Sequence, residues 1–287
     1  GGDSKAQQIS AYELYSVAFG SSADKVFATL AQHPYVAGGF AWTGWDYLGE
    51  PTPYYSARSS YSGIIDLAGF KKDRFYLYQA YWRPELPLAH ILPHWNWPER
   101  VGQVTPVHVF TSGDEAELFL NGKSLGRKQK APFEYRLRWD DVVYAPGELK
   151  VIAYKNGLPW AEEVVRTTGA PAAVKLSADR PRIAATGQDL VFITAELTDQ
   201  NGLPVPTAKN RLEFSLEGPG EIVATDNGDA ASLVSFASPA REAFNGRCLV
   251  IIRSKKGQPG TIRLKAQASG LAGGSISLES VRATPTQ

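Results

Sequence analysis

The chain has 287 residues, with 30 Lys plus Arg against 29 Asp plus Glu and a formal net charge of +1. That length holds about two or three domains, each with its own core. The interspersed charge signs offer no basic stripe for nucleic acid or for an anionic membrane. No apolar run approaches the roughly 20 residues of a membrane span, and no signal-sequence pattern opens the chain. There is no Met, and the opening GGDSKAQQ predicts a chain that is processed or cut from a longer one.

Two helices are expected first, over Lys5–Val17 and over Ala23–Gln32. Ser21 and Ser22 offer hydroxyls to the free amides at the start of the second. Val26, Leu30 and Phe27 fall at helical spacing and predict one buried face, and Pro34 stops the helix. YVAGGFAW then reads as a short apolar strand covered on both sides. The lip that follows, FAWTGWDYLGEPTPYY (Phe40–Tyr55), crowds aromatics and two carboxylates together. A third helix is predicted over Asp73–Trp82, started by Asp73 and stopped before Pro84. This cadence is that of an α/β layer, too short to close a sheet.

From about Val104 the periodicity changes to two. PVHVFTS, EAELFLNGKSLG, FEYRLRW and ELKVIAYKNGLPW are alternating segments separated by turn residues, as in a β-sandwich. Asn-Gly in FLNGKSLG and in YKNGLPW predicts tight hairpins, because type I′ turns need positive φ at both central residues. TTGAPAAV (Thr167–Val174) reads as a linker to a second all-β module with the sequence grammar of bacterial immunoglobulin-like domains. Its Cys248, the single cysteine, sits in GRCLVIIRS and predicts an inert buried thiol.

Three stretches resemble a known family. YVAGGFAWTGWDYLGEPTPYYSARSSYSGIIDLAGFKKDRFYLYQAYWRP is similar to the end of the (β/α)8 catalytic barrel of glycoside hydrolase family 2, in its β-galactosidase-like Bacteroidetes form. HWNW, VFTSGDEAELFLNGKSLGRK and LKVIAYKNG resemble the sandwich that follows that barrel. TDNGDAASLVSFASPAREAFNGRCLVIIRS resembles the family's terminal immunoglobulin-like domain. The resemblance implies a multidomain, mainly β chain: the C-terminal remnant of a TIM barrel over residues 1–88, then two immunoglobulin-like β-sandwich domains over 89–168 and 169–287.

It also implies a retaining exo-glycosidase for β-galactosides or related oligosaccharides, placed in the periplasm or secreted, with no cofactor. Such chemistry needs one carboxylic acid to protonate the leaving oxygen and a carboxylate about 5–5.5 Å away to attack the anomeric carbon. In the family the acid/base ends the fourth barrel strand and the nucleophile ends the seventh. This sequence resembles the family only from just after that strand, so no catalytic residue is assigned here and the partner is the N-terminal remainder of the enzyme. Glucuronide, mannoside and xyloside relatives share the architecture.

Candidate substrate-binding residues are Trp42, Trp45, Asp46 and Glu50. GGFAW is the expected eighth strand, which puts Trp42 at the mouth of the barrel. Sugar C–H faces pack on aromatic rings while hydroxyls need fixed polar partners, and the resemblance carries a stacking role onto Trp42. Trp45 and Tyr47 fit the site and the core equally. Asp46 and Glu50 suit a substrate hydroxyl or a buried partner for an arginine such as Arg58 or Arg74; as a catalytic pair they are disfavoured, because a retaining pair comes from different strands. Tyr54 and Tyr55 wall the loop, and GEPTPYYSARSSYSG serves equally as a sugar-binding or a capped loop. Trp82, Trp95 and Trp97 are assigned to the joint between barrel and first sandwich. His90, His94 and His108 lack metal-ligand company, TDNGDAAS reads as a turn rather than a calcium loop, and Lys123–Lys130 reads as a solvated face. A non-catalytic carbohydrate-binding or spacer module is the competing reading.

Overall fold

The computed structural model describes residues 2–13 and 19–282. The chain divides into two compact units, residues 1–167 and 168–287.

The first unit opens with two short paired strands, β1 (Gly2–Asp3) and β2 (Gln8–Ile9). The helix expected over Lys5–Val17 does not form in its described part. The Asp3 carboxylate accepts the amides of Lys5 and Ala6 at 2.9 and 3.1 Å, and Gln7 turns to φ 52°. The same contact would cap a helix, but the left-handed Gln7 and the pairing of β1 with β2 turn the chain back instead. Leu14–Val17 lie outside the described residues.

Helix α1 (Ala23–Gln32) has the expected bounds, and the Ser22 hydroxyl accepts the Lys25 amide. Its buried face keeps Phe27 of the expected residues and leaves out Val26. Ala23 and Phe27 are buried while Val26 is exposed. Phe27 wins because it enters an aromatic cluster, stacked on Tyr81 at 4.1 Å and edge-on to Tyr78 and Tyr135 at 5.2 and 5.3 Å. Helix α2 (Asp73–Trp82) also has the expected bounds; Lys72 is its cap, and Asp73 is the first helical residue.

YVAGGFAW is not a strand. Among the described residues no strand pairs with its first seven positions, and Tyr35 and Phe40 are exposed. An apolar run without ladder partners leaves its side chains uncovered.

The rest of the first unit is two sheets over one core. Strands β3 (Ala89–Leu92), β4 (Val107–Thr111) and β7 (Leu137–Trp139) form one, in the order β3-β4-β7. Strands β5 (Glu115–Leu120), β6 (Lys123–Gln129), β8 (Glu148–Lys155) and β9 (Leu158–Arg166) form the other, in the order β6-β5-β8-β9. The predicted hairpins are present. Asn121 and Gly122 join β5 to β6 at φ 51° and 79°, and Asn156 and Gly157 join β8 to β9 at 52° and 79°.

Val107 and Val109 of β4 face the core shared with Leu118, Leu149 and Val151, into which Trp95 and Trp139 are also buried. Phe110, on the opposite face, packs with Leu77 of α2 and Phe27 of α1. All five β4 residues are therefore buried, although alternation would have left one face wet. The helices cover it. Of the three tryptophans assigned to a joint, Trp95 belongs to the core between the sheets and donates to the Ala145 carbonyl at 2.9 Å. Trp97 packs against that core, and Trp82 is exposed at the end of α2.

His90 of β3 fastens the helices to this framework. Its Nε2 meets Asp73 at 2.8 Å, its Nδ1 meets Glu163 of β9 at 3.3 Å, and Tyr76 stacks on its ring at 3.9 Å. By contrast, burial lowers His94 and His108 to about 4, and Arg136 adds to the effect at His108.

The second unit also holds two sheets. Strands β10 (Ala173–Ala178), β11 (Arg182–Ala184), β12 (Leu190–Thr198), β13 (Arg211–Glu217), β14 (Gly220–Asp226), β15 (Ala240–Glu242), β16 (Arg247–Ser254), β17 (Gly260–Ala268) and β18 (Gly274–Val281) pair in the orders β10-β12-β16-β14 and β11-β18-β17-β13-β15. Ile193, Val250 and Ile252 from one sheet meet Leu212, Ile262 and Leu264 from the other in one core. Cys248 is buried among them, and burial pushes its thiol up to about 12. It is inert at neutral pH.

The His90 clamp gives the first unit a defined pH dependence. Burial works against the imidazolium, but the bonds to Asp73 and Glu163 outweigh it and raise His90 to about 9. The stabilisation is complete below the unfolded value of about 6.5 and is lost as pH rises towards 9, amounting to about 3 kcal/mol. Denaturant midpoints of the wild type should fall over that window and those of His90→Gln should not; parallel profiles would contradict the clamp.

Candidate functional site

The lip, Trp42–Glu50, is held by a strip that runs from Ser59 to Ile65. The Thr43 amide donates to the Ser62 carbonyl (3.1 Å), Ile64 N to Thr43 O (2.9 Å), Ile65 N to Gly44 O (3.0 Å) and Asp46 N to Ile65 O (2.9 Å). Ser60 then clasps Tyr47, its amide donating to the Tyr47 carbonyl at 2.8 Å and its hydroxyl accepting the Tyr47 amide at 3.1 Å. Strip and lip approach so closely at Gly63 that a Cβ there would lie 2.1 Å from the Asp46 nitrogen and 2.5 Å from the Ile65 oxygen. Only glycine fits.

The side chains of the lip divide by direction. Trp42 and Trp45 are 74% and 62% exposed, and Glu50 is exposed beside them. Trp42 and Glu50 are joined by a relay. The Trp42 indole N–H donates to the Tyr47 hydroxyl at 3.2 Å, the Tyr47 hydroxyl donates to the Glu50 carboxylate, and the Trp42 and Tyr47 rings meet edge-on at 6.0 Å. The bond to Glu50 raises the Tyr47 hydroxyl above its usual value, so Tyr47 stays a donor to it. A flat, solvent-facing indole with a fixed hydroxyl and carboxylate at its edge is suited to a polyol with one C–H face.

Asp46 points the other way. It is 5% exposed, and both carboxylate oxygens are committed, Oδ1 to the Gly63 amide at 2.7 Å and Oδ2 to the Lys72 ammonium at 2.6 Å. Of the two roles expected for it, its contacts fit the buried partner of a cation, and that cation is Lys72 rather than Arg58 or Arg74. Lys72 also donates to the Tyr61 carbonyl at 3.2 Å. Burial raises Asp46 and lowers Lys72, and each partner opposes the shift of the other. Nearby, burial lifts Asp66 to about 7 although the Phe70 amide donates to it at 2.8 Å. Arg74 ties α2 to the strip through Ser62 O at 2.8 Å and ion-pairs with Glu13, whose carboxyl is raised by burial.

Tyr54 and Tyr61 turn inwards to the β2 segment, donating to the Gln8 and Gln7 carbonyls at 3.1 and 2.8 Å, while Tyr55 is exposed. Trp42, Tyr47 and Glu50 are thus brought together on the outer side, Trp45 is exposed as well, and Asp46 is buried. Lys72 and Gly63 were not singled out from the sequence. The Lys-Lys pair in GFKKDRF resembles solvated surface, and Gly63 in YSGIID carries no turn signal. A separate cleft of about 440 Å³ is lined by Glu13, Asp24, Phe133, Tyr135 and Arg136 among others, but Arg136 is spent on Asp24 and the Tyr12 carbonyl. Among the described residues no group of His, Cys, Asp and Glu is arranged to hold a metal ion.

Residues 174–277 match the model of the glycoside hydrolase family 2 C-terminal domain 5, and residues 102–161 match a domain of unknown function, DUF4982. The β-galactosidase BoGH2A of Bacteroides ovatus is 42% identical over 264 residues, 91% of this chain and 30% of that protein. A putative β-glucuronidase of Formosa agariphila is 32% identical over 240 residues, 81% of this chain and 23% of that protein. The crystal structure of a β-glycosidase from Bacteroides vulgatus superposes with a TM-score of 0.89 at 33% identity, covering 95% of this chain and 34% of that one. The chain thus spans between 23% and 34% of the length of these three. Matched region and folded units together define the C-terminal part of a glycoside hydrolase. The chain belongs to glycoside hydrolase family 2.

The ion pair beneath the lip is open to a double substitution. Lys72→Met leaves a buried unpaired Asp46 and should cost about 3–5 kcal/mol, whereas adding Asp46→Asn should recover much of it, because removing both charges also removes their desolvation. Chemical denaturation of the four proteins measures this. Additive losses would show that the two residues act independently.

Proposed function

We propose that this chain supplies one wall of the sugar subsite in a retaining exo-β-galactosidase, and that the two catalytic carboxylates belong to chain outside these 287 residues. Residues 1–88 then correspond to the end of the catalytic (β/α)8 barrel, and residues 89–168 and 169–287 to two immunoglobulin-like sandwiches. The observation that carries the reading is the outward pair Trp42 and Trp45, with the Tyr47–Glu50 relay at its edge, on a backbone pinned from below by Asp46 and Lys72. Preorganised aromatic and polar groups of this kind hold a sugar ring in place at low entropic cost.

Asp46 and Glu50 do not make the catalytic couple. One is buried and paired and the other is exposed, whereas a retaining enzyme needs both groups facing one anomeric carbon. The exposed apolar side chains of Tyr35, Val36 and Phe40 suit cover by neighbouring barrel strands, which supplies the ladder partners that the YVAGGFAW segment lacks. The galactoside is favoured by the 42% identity to a β-galactosidase against 32% to a putative β-glucuronidase, and a periplasmic or secreted location goes with this reading.

The test is hydrolysis of 4-nitrophenyl β-galactoside by the complete enzyme and by this chain alone. The complete enzyme should turn it over and this chain should not. Trp42→Ala in the complete enzyme should lower kcat/KM by about 10- to 100-fold, the loss of one stacking surface, with the melting temperature unchanged because the ring is exposed. Turnover by the isolated chain would refute the placement of the carboxylates elsewhere. A complete enzyme inactive on every aryl glycoside would leave the reading as a carbohydrate-binding or spacer module.

A further inference from the structure

We infer that Glu50 makes this lip selective against uronic acids, admitting a neutral glycoside and repelling one whose C6 is a carboxylate. The inference rests on the glycosidase reading above and assigns Glu50 a role in specificity beyond contact with the sugar.

Glu50 is exposed at the edge of the lip, and its carboxylate lies one hydroxyl away from the Trp42 indole nitrogen, through Tyr47. A sugar stacked on Trp42 therefore has its periphery within hydrogen-bonding reach of that carboxylate. A neutral hexose presents hydroxyl donors there, and Glu50, acceptor-only when ionised, takes them favourably. A uronate places a second anion in the same space. The ammoniums of Lys71 and Lys72 are committed elsewhere. Lys72 is turned under the lip to Asp46 and the Tyr61 carbonyl, and Lys71 sits over the Phe75 ring at 4.4 Å. Like charges several Å apart at a partly solvated protein surface disfavour one another by about 10- to 100-fold in a binding constant.

Tyr47 holds the charge in place. Its backbone amide and carbonyl are both bonded to Ser60, at 3.1 and 2.8 Å, so its hydroxyl positions the carboxylate against a fixed support. A mobile surface glutamate could swing away from an anion; this one is bonded at its head group.

The experiment compares the complete enzyme with its Glu50→Gln variant, which keeps an acceptor for Tyr47 and removes the charge. kcat/KM is measured on 4-nitrophenyl β-galactoside and β-glucuronide at ionic strengths from about 0.01 to 1 M, where the screening length falls from about 30 to 3 Å. Where glucuronide turnover is too slow to follow, its Ki as a competitor of the galactoside is read instead. The variant should raise the glucuronide-to-galactoside ratio about tenfold or more. Wild-type affinity for the glucuronide should rise more steeply with salt than that of the variant, a difference that a merely structural role would not produce. An unchanged ratio with galactoside hydrolysis retained overturns the inference alone. Inactivity of the complete enzyme on both glycosides overturns the β-galactosidase reading and the inference with it.

Discussion

The lip takes its shape from an ion pair buried beneath it. Asp46 is drawn inward to the Lys72 ammonium and the Gly63 amide, and in an extended segment the neighbours of an inward residue point outward. Trp45 and Tyr47 flank Asp46 in sequence, so inward Asp46 sets the direction of both. The same anchor joins three pieces of chain: the lip, the Ser59–Ile65 strip and the first residues of α2. Burial works against the charge on both partners, so the pair contributes less to stability than its contact suggests. Its consequence is geometric, since neither partner can leave without stranding the other.

Further contacts carry that anchor into the fold. Arg74 bonds the strip at Ser62 and pairs with Glu13, and α2 is fixed to β3 and β9 through the His90 clamp. Leu77, Phe27 and Phe110 supply the apolar contact between helices and sheet. A ring at the lip is thus connected to the two-sheet framework through charged contacts at one end of α2 and apolar ones along it. Such preorganisation matters in a sugar site, where the hydrogen bonds gained are offset by those lost to water and the net gain depends on groups already in place.

Much of this was legible in the amino-acid order. The bounds of α1 and α2 follow from Ser22, Pro34 and Pro84, and the two Asn-Gly hairpins from the positive φ that their turns demand. What was hidden is non-local. The helix pattern over Lys5–Val17 gives way in its described part to the pairing of β1 with β2, which that pattern does not announce. YVAGGFAW has the composition of a covered strand, but strand formation depends on partners that its own residues cannot supply. Lys72 looks solvated until the fold desolvates it against Asp46, and the need for Gly63 exists only once two backbones meet there. β4 alternates in composition, yet is buried on both faces because α1 and α2 lie across it.

In the proposed function Trp42 is the stacking surface for the sugar. A crystal structure of the complete enzyme with galactose bound tests it most directly. Ring carbons of the sugar within about 4 Å of the Trp42 indole face, with a hydroxyl in reach of Glu50, are the predicted result. Galactose bound between the catalytic carboxylates with Trp42 more than about 8 Å away, beyond any van der Waals contact, would contradict it.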